Sequence, residues 1–311
     1  MMKQKWEAAT YHSKDFDWDE LREEVEKIPQ FEFHFLPFAK VVTTFDDAQL
    51  DSGAWDQFHA RHSTGKFFKE RRYLLKEFPE LGSCKENSKV LEVGCGNGST
   101  ALPLLCGRES IILYACDCSN EALERTKETI GASDSTSAIH RFHPFLCDFS
   151  TTGFPSWLCQ LLEYDFISSE ANTDDAKSCI GGVDFVTLVF TLSALPPDRI
   201  SKAIKECFSV LKPGGMLLFR DYGICDMTML RFNPEQRVGY REYLRPDGTR
   251  AYFFCLDTVR SLTSVAGFIE VELEYCCIEA VNRRTGKMMK RVFVHGKFQK
   301  QSTLSFFDQK R

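Results

Sequence analysis

Residues 88–99 read Ser-Lys-Val-Leu-Glu-Val-Gly-Cys-Gly-Asn-Gly-Ser, and this stretch decides the fold class that we predict. Residues 89–93 are expected to form a buried strand, three glycines turn the chain, and a helix is expected to begin at Ser99. Glycine lets a backbone approach a ligand closely, and the first N–H groups of a helix point towards it. The stretch therefore predicts a nucleotide-binding turn, with a glycine turn that binds no ligand as the alternative.

The spacing of the glycines distinguishes between cofactors. Gly94, Gly96 and Gly98 give the pattern G-x-G-x-G, whereas dinucleotide-binding folds more often have G-x-G-x-x-G. This difference favours S-adenosyl-L-methionine (SAM) over NAD. Asp117 follows the turn at about the 20-residue spacing at which an acid accepts hydrogen bonds from ribose hydroxyls. An aspartate that only caps a helix is the alternative.

From residue 89 onward, predicted strands alternate with predicted helices. The predicted strands are 89–93, 111–116, 141–147, 183–190 and 216–220. Repeated β–α units imply a parallel sheet with helices on both faces, and such sheets bind ligands at the carboxyl ends of their strands. The residues expected there are Gly94, Asp117, Asp148, Val189 and Asp221.

Two of these strand ends suggest further contacts. Asp148 could accept a hydrogen bond from an adenine amino group, and Phe149 could line the adenine pocket; a turn carboxylate is the alternative. Arg220 and Asp221 could be a buried structural pair. They could instead hold a polar substrate, with Asp221 stabilising positive charge that appears on the acceptor.

The chain after residue 240 is predicted to add antiparallel structure. A hairpin is expected around Pro246-Asp247-Gly248, and Asp257 is expected to cap a helix that ends near Gly267. Strands 271–280 and 291–300 would follow. The predicted fold is α/β, a Rossmann-like, doubly wound, mostly parallel seven-stranded sheet with an antiparallel last strand. This is the class I SAM-dependent methyltransferase fold, here with an N-terminal extension.

We expect residues 1–53 to form that extension, residues 54–300 the methyltransferase domain and residues 301–311 a tail. An acidic helix is predicted at 17–27. Four phenylalanines at mostly alternate positions predict an extended segment with one aromatic face that packs onto the domain; they are Phe31, Phe33, Phe35 and Phe38.

Charge is segregated along this chain of net charge −5. Residues 59–76 hold six Lys or Arg and one acid, and residues 283–300 hold seven and no acid. Such a chain can present a basic face although it is acidic overall. Aromatic rings among the bases at 54–80 suit stacking on nucleic-acid bases. A solvated charged surface and an amphipathic helix packed on the sheet are the alternatives.

Cysteine usage and hydropathy limit the cellular compartments in which we expect the protein to be found. The 13 cysteines include no C-x-x-C pair, no apolar run could cross a bilayer, and the start of the chain lacks the apolar core of a signal peptide. We expect reduced thiols, a cytoplasmic or nuclear location and a monomer without membrane association. His140 and His143 alone are too few ligands for a metal site, so no metal is expected.

Several segments together resemble the eukaryotic tRNA N3-methylcytidine methyltransferases of the methyltransferase-like family, over about residues 54–300. They are Trp-Asp-Gln-Phe-His (55–59), Phe-Phe-Lys-Glu-Arg-Arg (67–72), the glycine turn, Leu-Leu-Phe-Arg-Asp-Tyr-Gly (217–223) and Arg-Pro-Asp-Gly-Thr-Arg (245–250). The resemblance implies an enzyme that forms N3-methylcytidine in tRNA, at position 32 of the anticodon loop. It implies SAM as cofactor, S-adenosyl-L-homocysteine as product and an aminoacyl-tRNA synthetase such as seryl-tRNA synthetase as a candidate partner.

The resemblance also assigns site residues. SAM would be held by Trp55, His59, Gly94, Gly96, Gly98, Asp117, Asp148, Phe149 and Val189. The tRNA would contact Lys66, Lys69, Arg71, Arg72 and Phe190. The catalytic candidates are Asp221 and Arg220. The family usually has tyrosine at the position of His59, and residues 151–181 are longer than the family pattern.

Two other functions remain open at this stage. One is a SAM-dependent methyltransferase that acts on a small molecule, and the other is a SAM-fold module that binds RNA without turnover. Our hypothesis for the extension is that it folds over the cofactor or tRNA end of the sheet.

Overall fold

A seven-stranded sheet with helices on both faces forms the centre of the molecule. The structure is a computed structural model that describes residues 11–38, 47–62, 70–133, 136–159, 179–281 and 285–302. The strands are β1 (Ser88–Val93), β2 (Ile111–Asp117), β3 (Phe142–Leu146), β4 (Val183–Val189), β5 (Leu211–Tyr222), β6 (Arg237–Gly239), β7 (Glu242–Leu244), β8 (Arg250–Tyr252), β9 (Phe268–Val281) and β10 (Met288–Lys300). The α-helices are α1 (Trp18–Glu26), α2 (Asp47–Arg61), α3 (Leu74–Glu77), α4 (Pro79–Ser83), α5 (Ala101–Gly107), α6 (Asn120–Gly131), α7 (Thr136–His140), α8 (Pro197–Val210) and α9 (Leu256–Ala266).

The strand order confirms the predicted fold class. The sheet runs β3-β2-β1-β4-β5-β10-β9, and β1 to β5 pair in parallel. The last strand, β10, is antiparallel to both of its neighbours, β5 and β9. The carboxyl ends of β1 to β5 therefore meet at one edge of the sheet, where parallel α/β folds bind ligands.

Two apolar clusters cover the two faces of the sheet. One contains Leu91 with buried residues of α8, and the other contains Val90 with buried residues of α5. Adjacent residues of β1 thus point to opposite faces, as the two-residue period of a strand requires. The near-continuous apolar run of β1 follows from burial on both sides.

The start of β5 differs from the prediction. The strand was predicted at 216–220, yet β5 begins at Leu211 and includes Lys212-Pro213-Gly214-Gly215. Pairing with β4 jumps from Val183–Leu211 to Phe185–Met216, so the extra residues bulge out of the sheet. Gly214 has a φ of +81°, which suits glycine at such a bulge.

Side-chain capping accounts for the start of α6 but not for the start of α9. The Ser119 hydroxyl accepts a hydrogen bond from the Ala122 N–H at 3.2 Å, so Ser119 is the N-cap residue of α6. Cys255, and not Asp257, is the N-cap residue of α9; Asp257 lies in the first turn, where its charge favours the helix dipole. Gly267 ends α9 with a φ of +97°, as predicted.

Phe31 and Phe33 lie on a 3₁₀ helix at Pro29–His34, and Phe35 is the residue that ends it, so the predicted extended segment was wrong. Proline at the first helical position favours this turn. Phe31 and Phe35, four residues apart, pack with one apolar cluster, whereas Phe33 packs with another. The phenylalanines at alternate positions therefore pack against two different apolar clusters from a helical turn, and they do not form one face of a strand.

The extension nevertheless docks onto the domain, as predicted. Residues 13–15 exchange backbone hydrogen bonds with Cys277 of β9 at 2.7 and 2.9 Å. The Trp18 ring stacks on Tyr275 with 4.2 Å between the ring centroids. Helix α2 spans residues 47–61, so the expected boundary between residues 53 and 54 falls inside a helix.

Two chain-wide properties can be read from the structure. Within the described ranges, no helix is both long and apolar enough to span a membrane. All 13 cysteines are free thiols.

Candidate active site

The glycine turn after β1 is held by the end of β2. The N–H groups of Gly94 and Cys95 both donate to the Cys116 carbonyl, at 2.8 and 3.0 Å. Gly94 has a φ of +69°, and a Cβ there would lie 2.7 Å from the Thr191 side chain. Any larger residue would therefore be strained in backbone and would clash with Thr191.

Asp117 joins this turn to the predicted ribose site. Its side chain is 7% exposed. Its two carboxylate oxygens accept hydrogen bonds from the Gly96 N–H at 2.9 Å and the Ser119 N–H at 3.0 Å. Burial raises the pKa of Asp117, although the neighbouring His59 and these N–H groups counteract part of that effect. A carboxylate has about four acceptor positions, so Asp117 can still accept two ribose hydroxyls.

A cavity of about 380 Å³ lies at the carboxyl ends of β1 to β4. This volume lies within the usual range for small-molecule sites. Ten residues that the sequence predicted for SAM or tRNA line it: Trp55, His59, Arg71, Gly94, Gly96, Asp117, Asp148, Phe149, Val189 and Phe190.

One end of the cavity suits an adenine ring. Phe149 is buried and stacks on Phe154 with 5.3 Å between the ring centroids. Asp148 sits beside it and accepts hydrogen bonds from the Ser150 N–H and hydroxyl through Oδ1, at 3.2 and 2.7 Å. An apolar surface beside an acceptor matches the two properties of adenine, a π face and an amino donor.

Helix α2 covers the cavity from the other side. Trp55, Phe58 and His59 all contribute to the lining, and His59 is 7% exposed. Burial lowers the pKa of His59, with Asp117 and Asp56 acting in the opposite direction. Desolvation thus favours the neutral imidazole, which can both donate and accept a hydrogen bond.

Arg71 connects the glycine turn to the other half of the cavity. Its guanidinium donates to the hydroxyls of Ser99 and Thr100, and its Cζ lies 5.3 Å from the centroid of the Phe190 ring. Phe190 has a φ of +58°, an unusual conformation for a bulky residue. Its N–H donates to the Arg220 carbonyl at 2.8 Å, which holds this conformation at the end of β4.

Arg220 and Asp221 lie behind the cavity wall, and this corrects their expected direct contact with the acceptor. Arg220 is 2% exposed, and its guanidinium donates to the Glu77 carboxylate. Asp221 is fully buried and accepts hydrogen bonds from the Ser193 N–H at 2.9 Å and the Tyr222 N–H at 2.8 Å. Burial raises the pKa of Asp221 to about 6. Both residues position the wall of the cavity.

Gly98 and Arg72 are also placed away from the cavity wall. A Cβ at Gly98 would lie 3.0 Å from the Thr126 side chain, so this glycine permits the turn to pack against α6. The Arg72 guanidinium bonds the Glu70 carboxylate at the surface, with Nε at 2.8 Å. The predicted tRNA contacts Lys66 and Lys69 lie outside the described residues.

Another group of lining residues was not predicted from the sequence. These residues come from the end of β5, the loop after it and the β7–β8 hairpin: Tyr222, Thr228, Arg245, Asp247, Thr249 and Arg250. Two segments that carry the family resemblance contain five of these six residues, Leu-Leu-Phe-Arg-Asp-Tyr-Gly (217–223) and Arg-Pro-Asp-Gly-Thr-Arg (245–250), but none of the five was assigned to the cavity lining. Across the described ranges, no three His, Cys, Asp or Glu side chains are arranged to bind a metal.

Comparison with known proteins identifies the family. Residues 66–273 match the family model described as a methyltransferase domain. A human protein, tRNA N(3)-cytidine methyltransferase METTL6, is 37% identical over 267 residues, which cover 84% of this chain and 85% of that protein. The chain belongs to the tRNA N(3)-cytidine methyltransferase family.

More distant relatives agree. Mettl2 of Drosophila melanogaster is 34% identical, over 79% of this chain and 70% of that protein. Both are named tRNA N3-methylcytidine or cytidine methyltransferases. A solved SAM-dependent methyltransferase from Anabaena variabilis superimposes with a TM-score of 0.55 at 12% identity, over 86% of this chain and all of that one, and shows the shared fold. The chain thus combines membership of the tRNA N(3)-cytidine methyltransferase family with the fold of SAM-dependent methyltransferases.

We predict that Asp117→Asn weakens SAM binding about 10- to 100-fold, because hydrogen bonds to a charged acceptor contribute about 1.5–3 kcal/mol. Isothermal titration calorimetry measures this change. Asp198→Asn, an exposed acid on α8, is the matched control and should bind SAM as the wild type does. Unchanged SAM affinity in a folded Asp117→Asn variant would remove Asp117 from the cofactor site.

We also predict that Arg220→Met and Glu77→Gln each lower the free energy of unfolding by about 3–5 kcal/mol, since each leaves a buried charge without its partner. The double variant should lose less than the sum of the two. Urea denaturation measures all three. Arg22→Met breaks a surface pair, Arg22–Glu26 at 2.7 Å, and should lose under about 1 kcal/mol. Wild-type stability with lost turnover in Arg220→Met would restore Arg220 as a catalytic residue.

Proposed function

We propose that the methylated cytidine is at position 32, in the anticodon loop of tRNA, and that it enters the cavity beside Phe190. One observation carries the proposal. The cavity joins a nucleotide-binding half around Asp117 to a second half of cations and aromatic rings around Arg71 and Tyr222. A loop nucleotide supplies what the second half would recognise, namely an unstacked base with a phosphate beside it.

The first half fits SAM by the geometry of its residues. Asp117 is a buried acceptor for the ribose, Phe149 and Asp148 suit the adenine, and the turn at Gly94–Gly98 allows close approach of the methionine part. Trp55 and His59 of α2 would cover it. When bound, SAM supplies a methyl group on a positively charged sulfur.

The second half would hold the cytidine. N3 lies on the Watson–Crick edge, so the base must be unpaired or flipped out to reach the methyl group, which favours a loop over a stem. The Phe190 and Tyr222 rings, 5.0 Å apart at 45°, offer surfaces for stacking. Cytidine N3 carries its own lone pair, so no residue need remove a proton. The residues need only place N3 in line with the methyl group.

We predict that the purified protein with SAM methylates transcribed tRNA at C32 and that C32→U abolishes the product, as measured by nucleoside mass spectrometry. Because phosphate contacts release counterions, tRNA affinity should fall steeply between 50 and 200 mM salt, by about 10-fold or more. The control is a tRNA in which the nucleotide opposite cytidine 32 is changed to guanosine, so that cytidine 32 is paired; it should give less product. Activity on a metabolite that is insensitive to salt would favour the small-molecule alternative.

We further propose that a synthetase such as seryl-tRNA synthetase assists this reaction. We also propose that the protein acts as a monomer in the cytoplasm or nucleus. The N-terminal extension would contribute to tRNA binding. Resemblance to the family and the segregated charge support these proposals. In the described ranges, residues 11–38 do not line the cavity, so the extension would act on the tRNA outside it. Adding the synthetase should raise the methylation rate; an unchanged rate at saturating synthetase would reject that partner.

A further inference from the structure

A third carboxylate lines the cavity, and neither the ribose nor the adenine site uses it. Among the described residues, the cavity-lining acids are Asp117, Asp148 and Asp247. The first two follow β2 and β3, on the cofactor half. Asp247 comes from the β7–β8 hairpin, which belongs to a separate three-stranded sheet. Its role therefore needs a different explanation.

The hairpin stands next to the acceptor half of the cavity. The segment after β8 bonds the end of β5, since the Phe254 N–H donates to the Tyr222 carbonyl at 2.8 Å and the Ile224 N–H donates to the Phe254 carbonyl at 2.9 Å. In the sheet order, β5 lies beyond β4, on the side away from β2 and β3. The strand β8 that follows the turn is thus anchored beside Tyr222, and Asp247 lines the same cavity from the tip of this hairpin.

The turn that carries Asp247 is well defined. The Arg245 N–H donates to the Thr249 carbonyl at 2.8 Å, and the Gly248 N–H donates to the Arg245 carbonyl at 2.9 Å. A Cβ at Gly248 would lie 3.5 Å from the Ala54 Cβ of α2, so the tip of the hairpin touches the helix that covers the cofactor half. These contacts fix the position of the turn over the cavity.

One oxygen of Asp247 is engaged by this turn. Oδ1 accepts hydrogen bonds from the Thr249 N–H at 3.0 Å and the Thr249 hydroxyl at 2.7 Å. Burial alone would raise the pKa of Asp247, but these bonds and the charges of Arg245 and Arg61 lower it overall. The group is an anion at neutral pH, and a carboxylate retains further acceptor positions.

The chemistry of cytidine calls for such a group. In the reaction the N3 lone pair forms a bond to the methyl carbon, while the carbon–sulfur bond breaks and its electron pair stays on sulfur. The positive charge passes from the sulfonium to the base, where it spreads over N3, C4 and the 4-amino nitrogen. A carboxylate beside the amino group would bond it more strongly as that charge develops.

We propose that Asp247 is a catalytic residue that accepts a hydrogen bond from the cytidine 4-amino group and stabilises the positive charge of the methylated base. The proposal rests on the proposed function. It also supplies specificity, because uridine has an oxygen at C4 that a carboxylate would repel. Asp247 takes the part that sequence analysis gave to Asp221.

The first experiment varies the enzyme and the base together. Wild type, Asp247→Asn and the control Asp257→Asn, whose side chain is 92% exposed, are given anticodon stem-loop RNAs with SAM in single-turnover assays. The target base is cytidine or pyrimidin-2-one, which lacks the 4-amino group. With cytidine, Asp247→Asn should be about 10- to 100-fold slower, the loss of one hydrogen bond to a charged group. With pyrimidin-2-one the two enzymes should differ by less than about threefold.

Other outcomes overturn the proposal. An equal loss on both bases would show that Asp247 acts through the position of its turn and not on the 4-amino group. Weaker SAM binding by Asp247→Asn in calorimetry would place the residue on the cofactor half. A wild type that binds SAM but methylates no cytidine would instead reject the proposed function, whatever Asp247 does.

A second experiment needs no turnover. With S-adenosyl-L-homocysteine present, wild type should bind RNA carrying cationic N3-methylcytidine about tenfold more tightly than RNA carrying cytidine at the same place, because the carboxylate faces the charge. Asp247→Asn should lose this preference, and Asp257→Asn should keep it. An equal preference in wild type and Asp247→Asn would overturn the proposal.

Discussion

The hydrogen bond from the Gly96 N–H to the Asp117 carboxylate, at 2.9 Å, is the contact on which the cofactor half depends. It ties the turn after β1 to the end of β2, where Cys116 accepts two more N–H groups. A buried carboxylate is stable only when its acceptor positions are used. The N–H groups of Gly96 and Ser119 use two of them, and a ribose could use the others. Folding and ligand binding therefore both require the Asp117 carboxylate to accept hydrogen bonds at this position.

A buried ion pair sets the geometry of the acceptor half. The Arg220 guanidinium bonds Glu77 of α3, and the Arg220 carbonyl accepts the Phe190 N–H at 2.8 Å. Next to it, Asp221 holds the Ser193 N–H at 2.9 Å. Phe190 and Ser193 both line the cavity. Arg220 and Asp221, which the sequence suggested as catalytic residues, thus hold Phe190 in its strained backbone conformation. Such strain persists only where the surrounding structure is rigid.

The features that the sequence predicted correctly are those that depend on the period of apolar residues and on the spacing of motifs along the chain. The parallel order of β1 to β5 and the place of Asp117 follow from repeated β–α units and from the glycine turn. The sequence could not predict which way a strand-end side chain points, because a shift of one residue exchanges the two faces, and so Asp221 was expected in the cavity. It also could not place Asp247, because a hairpin distant in sequence reaches the cavity only through tertiary packing. A few alternating aromatics fit a strand and a 3₁₀ turn equally well, which explains the error at Phe31–Phe35.

The three lining carboxylates are the same chemical group in three environments, and the environments separate their roles. Asp117 is bonded by backbone N–H groups, Asp148 by Ser150, and Asp247 by Thr249 with Arg245 nearby. Methyl transfer leaves the total charge unchanged and only moves one positive charge from sulfur to the base. A site with anions on the donor side alone would bind SAM well and oppose that movement. An anion on the acceptor side favours the transition state over the bound donor, which is the difference that accelerates a reaction.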